Sequence, residues 1–388
     1  MSVVILKKGK DKPVRNRHPW IFSGAIARIE GAVEDGDIVA VQDARSEHLG
    51  YGYCNRKSRI MVRMLSFGAH EINQAFLRSL VKQAILRRSS NPALSGTDSK
   101  RIINGEGDSL PGLIVDDYAG HLVIQVLTLG IERLRAELVS IINEEIRPSS
   151  IYERSDHAGR AIEGLRDKTG PVQGETPDDI MITEYGMKFH VDVKRGQKTG
   201  FFLDQRDNRS LVRALASGRR VLNLFAYTGG FSVAALSGGA SSVVSLDASA
   251  DALGVLERNI AANGFPPQES VAADTFAYLR GRGIDSDFVI IDPPSFTKSR
   301  ESVDGACRGY KDLNLQVLHK CPAGTRVLTC SCSRFVGMDL FQKVVFAAAA
   351  DAGRNAVILS SHHHPADHPV SIFHPEAHYL KAMLLHVD

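Results

Sequence analysis

Residues 221–236 read VLNLFAYTGGFSVAAL, and this stretch decides the fold. An apolar strand-like run is followed by Gly229-Gly230 and then by an apolar stretch that reads as a helix. Glycines at a strand-to-helix turn supply positive φ and let a ligand approach the backbone. The spacing is not GxGxxG, which argues against a dinucleotide oxidoreductase.

Outward from this turn the chain alternates apolar strand and helix. Strands are expected at 220–225, 242–247, 270–272, 288–292, 326–331 and 356–359, the pattern of a mostly parallel sheet covered on both faces. Ligands in such sheets lie outside the carboxyl ends of the strands. Asp247 ends the second strand about 18 positions after Gly229, where a carboxylate accepts from ribose hydroxyls. Asp274, Thr275 and Phe276 follow the third strand and suit the edge and face of an adenine, although Asp274 serves equally as a helix N-cap. The fourth strand ends in DPPSF, residues 292–296, whose two prolines hold Asp292 at the strand tip. The fifth ends in VLTCSCS, residues 327–333. Cys330 reads as an inert core thiol, and Cys332, nearer the rim, as a nucleophile. A thiolate there can add to C6 of a pyrimidine and make C5 an acceptor for a methyl group.

The length of 388 residues exceeds what one core usually supports, so two or three domains are expected. The five cysteines, none in a zinc spacing, fit a reducing cytoplasm. No apolar run approaches a membrane span, and the N-terminus lacks the order of a secretory signal. The histidines at 362–364, 368, 374 and 378 are interleaved with prolines and read as an irregular surface segment, not a metal site.

Net charge is +3, but residues 1–67 hold twelve Lys and Arg against seven Asp and Glu. A basic module on a near-neutral body suits an anionic partner, nucleic acid first. Within it, short strands at 3–6, 20–23, 37–42, 49–54 and 60–65 between glycines predict a small β-barrel, assigned to 1–68. Lys8, Lys12, Arg15 and Arg17 crowd against Trp20 and Phe22, a basic and aromatic surface, with Trp20 better read as the core anchor. Residues 69–190 predict a mixed α/β connector. It comprises a helix burying Ile72, Phe76, Leu80, Ala84 and Ile85, strands at 113–116, 122–127 and 151–153, a helix at 131–146, a loop over 154–179, and a hairpin of 180–184 with 188–193. The sheet domain occupies 191–388.

With these elements in order, the chain resembles the bacterial PUA-domain-containing 23S rRNA cytosine-5 methyltransferases. The resemblance rests on RHPWIFSGAI (17–26), NGEGDSLPGLIVD (104–116), KTGFFLDQRDNR (198–209), FAYTGGFSVAAL, DPPSF, CRGYKDLN (307–314), SCS and ADHPVSIFHPEAHYLK (366–381). It implies an N-terminal PUA barrel, a central α/β domain and a Rossmann-like class I methyltransferase domain with a mostly parallel seven-stranded sheet. It implies S-adenosyl-L-methionine as donor, held by Asn223, Phe225, Tyr227, Gly229, Asp247, Asp274, Thr275, Phe276 and Asp292, with Asp204, Gln205 and Arg206 folding over it. The SCS element maps onto Ser331-Cys332-Ser333 and supports Cys332 as nucleophile. Related RNA enzymes carry a second cysteine where this chain has Ser295, so that role must pass to another base or to water. Asp292 would then act near N3 and the exocyclic amine of cytosine. Pro294, Phe296, Lys298 and Arg308 would hold the flipped nucleotide and its phosphates, with Lys311 by default a helix-surface charge. The implied partner is 23S rRNA, naked or partly assembled, and a homodimer is left open. Two rivals stand. An exocyclic-amine methyltransferase making 2-methylguanine needs no cysteine, and a non-catalytic RNA-binding assembly factor needs no cofactor.

Overall fold

The computed structural model describes residues 1–297 and 299–388. They form two compact units, one of Met1–Ile182, Val191–Leu203 and Ala366–Ala377, the other of Thr183–His190, Asp204–Pro365 and His378–Asp388.

The first unit holds a six-stranded sheet in the order Trp20–Phe22, Ile60–Phe67, His48–Cys54, Ile38–Gln42, Val3–Leu6, Ile26–Glu30. Val3–Leu6 runs parallel to Ile38–Gln42, and the other pairs are antiparallel. The edge strand Ile26–Glu30 is additional to the five expected, because its exposed Ala27, Arg28 and Glu30 give it no apolar run to read. A five-stranded sheet follows, ordered Lys168–Gln173, Ser150–Ser155, His121–Val126, Leu113–Tyr118, Ser99–Asn104, and packed on the helices Gln74–Ser89 and Leu129–Ile146. Residues 154–179 are thus not all loop. Lys168–Gln173 pairs antiparallel with Ser150–Ser155 as a polar edge strand.

The boundaries expected at 68 and 190 do not coincide with these units. Tyr53 and Leu65, from the N-terminal sheet, belong to the core of the second sheet. The Tyr53 hydroxyl donates to the Pro111 carbonyl at 2.7 Å, and its ring fills the space a side chain at Gly130 would need. Residues 191–203 are tied to the same unit, Thr199 Oγ1 donating to Asp116 Oδ2 at 2.6 Å and Arg154 Nη1 to the Val193 carbonyl at 2.9 Å. The histidine-rich segment is also more than surface. Asp367, His368 and His374 are buried, and Asp367 accepts from Arg88 and from the Arg101 amide.

The second unit is a seven-stranded sheet in the order Glu269–Ala272, Ser242–Asp247, Arg220–Leu224, Phe288–Ile291, Thr325–Ser331, Lys381–Val387, Ala356–His362. All neighbours are parallel except Lys381–Val387, which is antiparallel to both of its partners. Leu222, Leu224, Val289, Ile291, Val327 and Leu385 anchor its core. Among the described residues no helix is long and apolar enough to cross a membrane, and no group of His, Cys, Asp and Glu could hold a metal ion.

Candidate active site at the carboxyl ends of the parallel strands

The first strand ends in a backbone curl. Phe225, Tyr227 and Gly229 all take positive φ, at 61°, 47° and 80°. A non-glycine residue in this region costs about 1–2 kcal/mol, so two within three residues require external bracing. Asp247 supplies it. Its Oδ2 accepts from the Tyr227 amide at 2.8 Å and its Oδ1 from the Ser249 amide at 2.9 Å. Each carboxylate oxygen has a second lone pair, so Asp247 can fasten the turn and still accept from a diol. Gly229 opens the helix Gly230–Ser237. A Cβ there would stand 2.5 Å from Leu256 Cγ, so the missing side chain makes room for protein packing as well as for positive φ.

Not every residue expected around a cofactor reaches this rim. Asn223 is fully buried mid-strand, its Nδ2 donating to Ser232 Oγ at 2.9 Å, which ties strand to helix. Thr275 is buried as the first residue of its helix, while Asp274 is exposed and caps that helix through the Ala277 amide. Arg206, expected beside the cofactor, is engaged within the protein. It is buried, with its Nε 3.1 Å from Glu184 Oε2, in a cluster that also holds Arg209. Gln205 donates to Asp292 Oδ1 at 2.9 Å while accepting from Asn208 Nδ2 at 2.5 Å. The chain Asn208–Gln205–Asp292 therefore sets the orientation of the strand-tip carboxylate.

The two neighbouring strands bring the remaining chemistry together. Ile291 is in register with Thr329, so the DPPSF and SCS elements leave the sheet side by side. The Cys332 thiol, half-buried, lies 3.8 Å from the Pro293 carbonyl. Cys330 is fully buried, and burial first, then the nearby Asp292 charge, pushes its thiol well above the ordinary range. Of the two, Cys332 is therefore the one fit to react. Ser333 fixes the turn beyond it, sharing hydrogen bonds with Tyr310 Oη at 2.7 Å and Ser295 Oγ at 3.1 Å. Lys381 Nζ donates at 2.6 Å each to the Ser333 and Tyr379 carbonyls. Burial pushes this lysine down to about 8. Tyr379 in turn donates to Asp204 Oδ2 at 2.8 Å. Lys381, Tyr310, Tyr379 and Asn208 were not singled out from sequence. The signal available for Lys381 was a lysine opening the apolar run KAMLLHV.

Phe296 is half-buried against Tyr310, ring centroids 4.7 Å apart, with Phe276 6.2 Å away. Its ring is thus part of the loop's own packing. Pro294 and Arg308 are exposed, and Lys311 pairs with Asp351 at 2.6 Å. Lys298 lies outside the described residues. In the first unit Lys8, Lys12 and Arg17 are exposed. Arg15 is not a free cation, being ion-paired to Glu47, Asp11 and Asp43. Trp20 is buried, its indole Nε1 donating to Glu106 Oε1 at 2.8 Å, while its neighbour Phe22 is half exposed.

A family profile described as S-adenosylmethionine-dependent methyltransferase matches residues 167–383, and one described as PUA-like domain matches 4–67. The ribosomal RNA large subunit methyltransferase I of Cronobacter sakazakii is 42% identical over 395 residues that span the whole of both chains. The protein of that name from Escherichia coli K12 is likewise 42% identical over the full length of both. Among solved structures, SMU.776, a candidate methyltransferase complexed with SAH, has the same fold. It matches with a TM-score of 0.87 and 24% identity over 99% of this chain and 100% of that one. The chain therefore belongs to the S-adenosylmethionine-dependent methyltransferases, in the family of the ribosomal RNA large subunit methyltransferase I proteins.

Proposed function

We propose that this protein methylates C5 of a cytosine in 23S ribosomal RNA in the cytoplasm, with Cys332 as nucleophile. The observation that carries the reading is a half-buried thiol placed beside the DPPSF loop at the carboxyl end of the sheet. The 42% identical relatives named for the large ribosomal subunit support the RNA class. Exposed Lys8, Lys12 and Arg17 on the PUA-like module support it through phosphate contact.

The residues present fit S-adenosylmethionine. The turn from Phe225 to Gly229 curls through three positive-φ residues, Asp247 retains acceptor capacity for ribose hydroxyls, and Asp274 with Phe276 follows the third strand. When bound, S-adenosylmethionine supplies an electrophilic methyl group. The Cys332 thiolate adds to C6 of a cytosine taken out of its stack, and the electron pair displaced from the C5–C6 bond makes C5 nucleophilic. Asp292, held by Gln205, orients the ring by hydrogen bonding at N3 and the exocyclic amine. After C5 is methylated, its proton goes to a base, the C5–C6 double bond re-forms and the C6–S bond breaks, returning the thiolate.

Two measurements test this. Mapping modified nucleotides in 23S rRNA from a deletion strain is expected to show loss of one 5-methylcytosine, restored by the wild-type gene. Loss of a 2-methylguanine instead would replace cytosine with an exocyclic amine as target. Separately, Asp247→Asn is expected to weaken S-adenosylmethionine binding about tenfold by calorimetry, since a hydrogen bond to a charged group contributes about 1.5–3 kcal/mol. Unchanged affinity would remove Asp247 from the cofactor site.

A further inference from the structure

We infer that Lys381 is a positioning residue that holds Cys332 in its thiolate form, the two making a lysine–cysteine ion pair where two adjacent strands of the sheet end. The register pairs Lys381 with Ser331, the residue before Cys332. The lysine Nζ then reaches past that position to the carbonyl of Ser333, the residue after it. Cys332 thus lies between the backbone partner of Lys381 and the carbonyl that its Nζ holds.

The electrostatics require a counter-ion. Lys381 is 1% exposed. Its hydrogen-bond partners are two carbonyls, Ser333 and Tyr379, and among the described residues no carboxylate pairs with it. A buried ammonium held only by neutral dipoles is costly, and buried charges are ordinarily paired. Burial lowers the lysine, and Cys332 as an anion is the group that raises it again. Among the described residues, Tyr310 from the helix Val303–Lys320 and Cys330 from the strand before it also feel this thiol, and both add negative charge when ionised and oppose a thiolate, as does Asp292 beside Cys330. Arg334, two residues on, is exposed to solvent and screened. A cation beside a cysteine lowers its pKa and raises the thiolate fraction at neutral pH. The pair also gives the ADHPVSIFHPEAHYLK motif, which ends on Lys381, a role in the chemistry.

The inference rests on the reading of Cys332 as nucleophile, and the test reads the thiol itself, without RNA. The full-length protein is labelled with iodoacetamide across pH, and the Cys332 peptide is quantified by mass spectrometry. In Lys381→Met the labelling midpoint is expected to move up by about one pH unit. At pH 7.5 the thiolate fraction then falls about tenfold, and the higher basicity of the remaining thiolate returns about threefold, for a net loss of about threefold in rate. Lys381→Arg is expected to keep the wild-type midpoint, and half-buried Cys307 to label alike in all variants. If Lys381→Met melts early, Lys381→Gln, which can still donate to a carbonyl, is read instead. A wild-type midpoint in a folded, uncharged variant overturns the inference, as does a shift produced by Arg334→Ala and not by the lysine variants. Normal labelling shifts alongside failure to trap 5-fluorocytosine RNA would instead count against the cytosine-5 reaction.

Discussion

Cys332→Ala is expected to lower kcat for methyl transfer by at least about a thousandfold while S-adenosylmethionine binds as in wild type. Cytosine C5 is a poor nucleophile until C6 carries an added group, so removing the thiol removes the activation and leaves the cofactor site intact. RNA containing 5-fluorocytosine is expected to form a covalent adduct with wild type, because fluorine cannot leave as a proton does and elimination stops. The alanine variant is expected to form none. Cys330→Ala separates position from chemistry. That thiol is buried and held protonated, so its loss costs packing but leaves turnover within a few-fold. An exocyclic-amine enzyme would show the opposite pattern, with Cys332→Ala turning over normally, and that result would sink the cytosine-5 reaction without touching the methyltransferase assignment.

The parts of this site legible in sequence are those encoded by neighbours in the chain. Gly229 and the prolines after Asp292 act on their own backbone, and apolar runs such as 288–291 announce buried parallel strands wherever they occur. What could not be read depends on partners brought together by folding. Arg206 looks like a cofactor contact until Glu184, 22 residues earlier, is found beside it. Arg15 looks like a phosphate contact until Glu47 arrives from the turn between Ile38–Gln42 and His48–Cys54. Ile26–Glu30, Ser99–Asn104 and Lys168–Gln173 escaped because edge strands need not bury both faces, so their apolar pattern is weak. Lys381–Val387 is the more telling omission. It lies between Thr325–Ser331 and Ala356–His362, antiparallel in a sheet whose grammar is parallel, and it follows a proline- and histidine-rich segment with no preceding helix to mark a crossover. Missing that strand also meant missing the lysine it carries to Cys332.

Glu184→Gln is expected to destabilise the methyltransferase unit by about 3–5 kcal/mol, the cost of breaking a buried ion cluster from one side. Glu184, Arg206 and Arg209 are all essentially inaccessible. Arg209 Nε and Nη2 contact the two Glu184 oxygens at 2.7 Å each, and Arg206 Nε contacts one at 3.1 Å. Neutralising this carboxylate leaves the two buried guanidinium groups facing a neutral amide, and the loss is a large share of a typical domain stability of about 5–15 kcal/mol. The pH dependence has a definite sign. Burial pushes the Glu184 carboxyl up, but the charges and hydrogen bonds of Arg209 and Arg206 outweigh it and hold it below the ordinary glutamate value. A carboxyl lowered on folding contributes its full stability above the unfolded value near 4.5 and loses it as pH falls through the lower folded value. The gap between wild type and Glu184→Gln should therefore be constant from pH 8 to about 5 and narrow only in more acid solution. Scanning calorimetry resolves the outcome, because the chain has two units and a single midpoint need not describe both. The transition of the unit containing Thr183–His190 should shift while the other stays in place, and a change below about 1 kcal/mol would mean that the two arginines are solvated or compensated without the carboxylate.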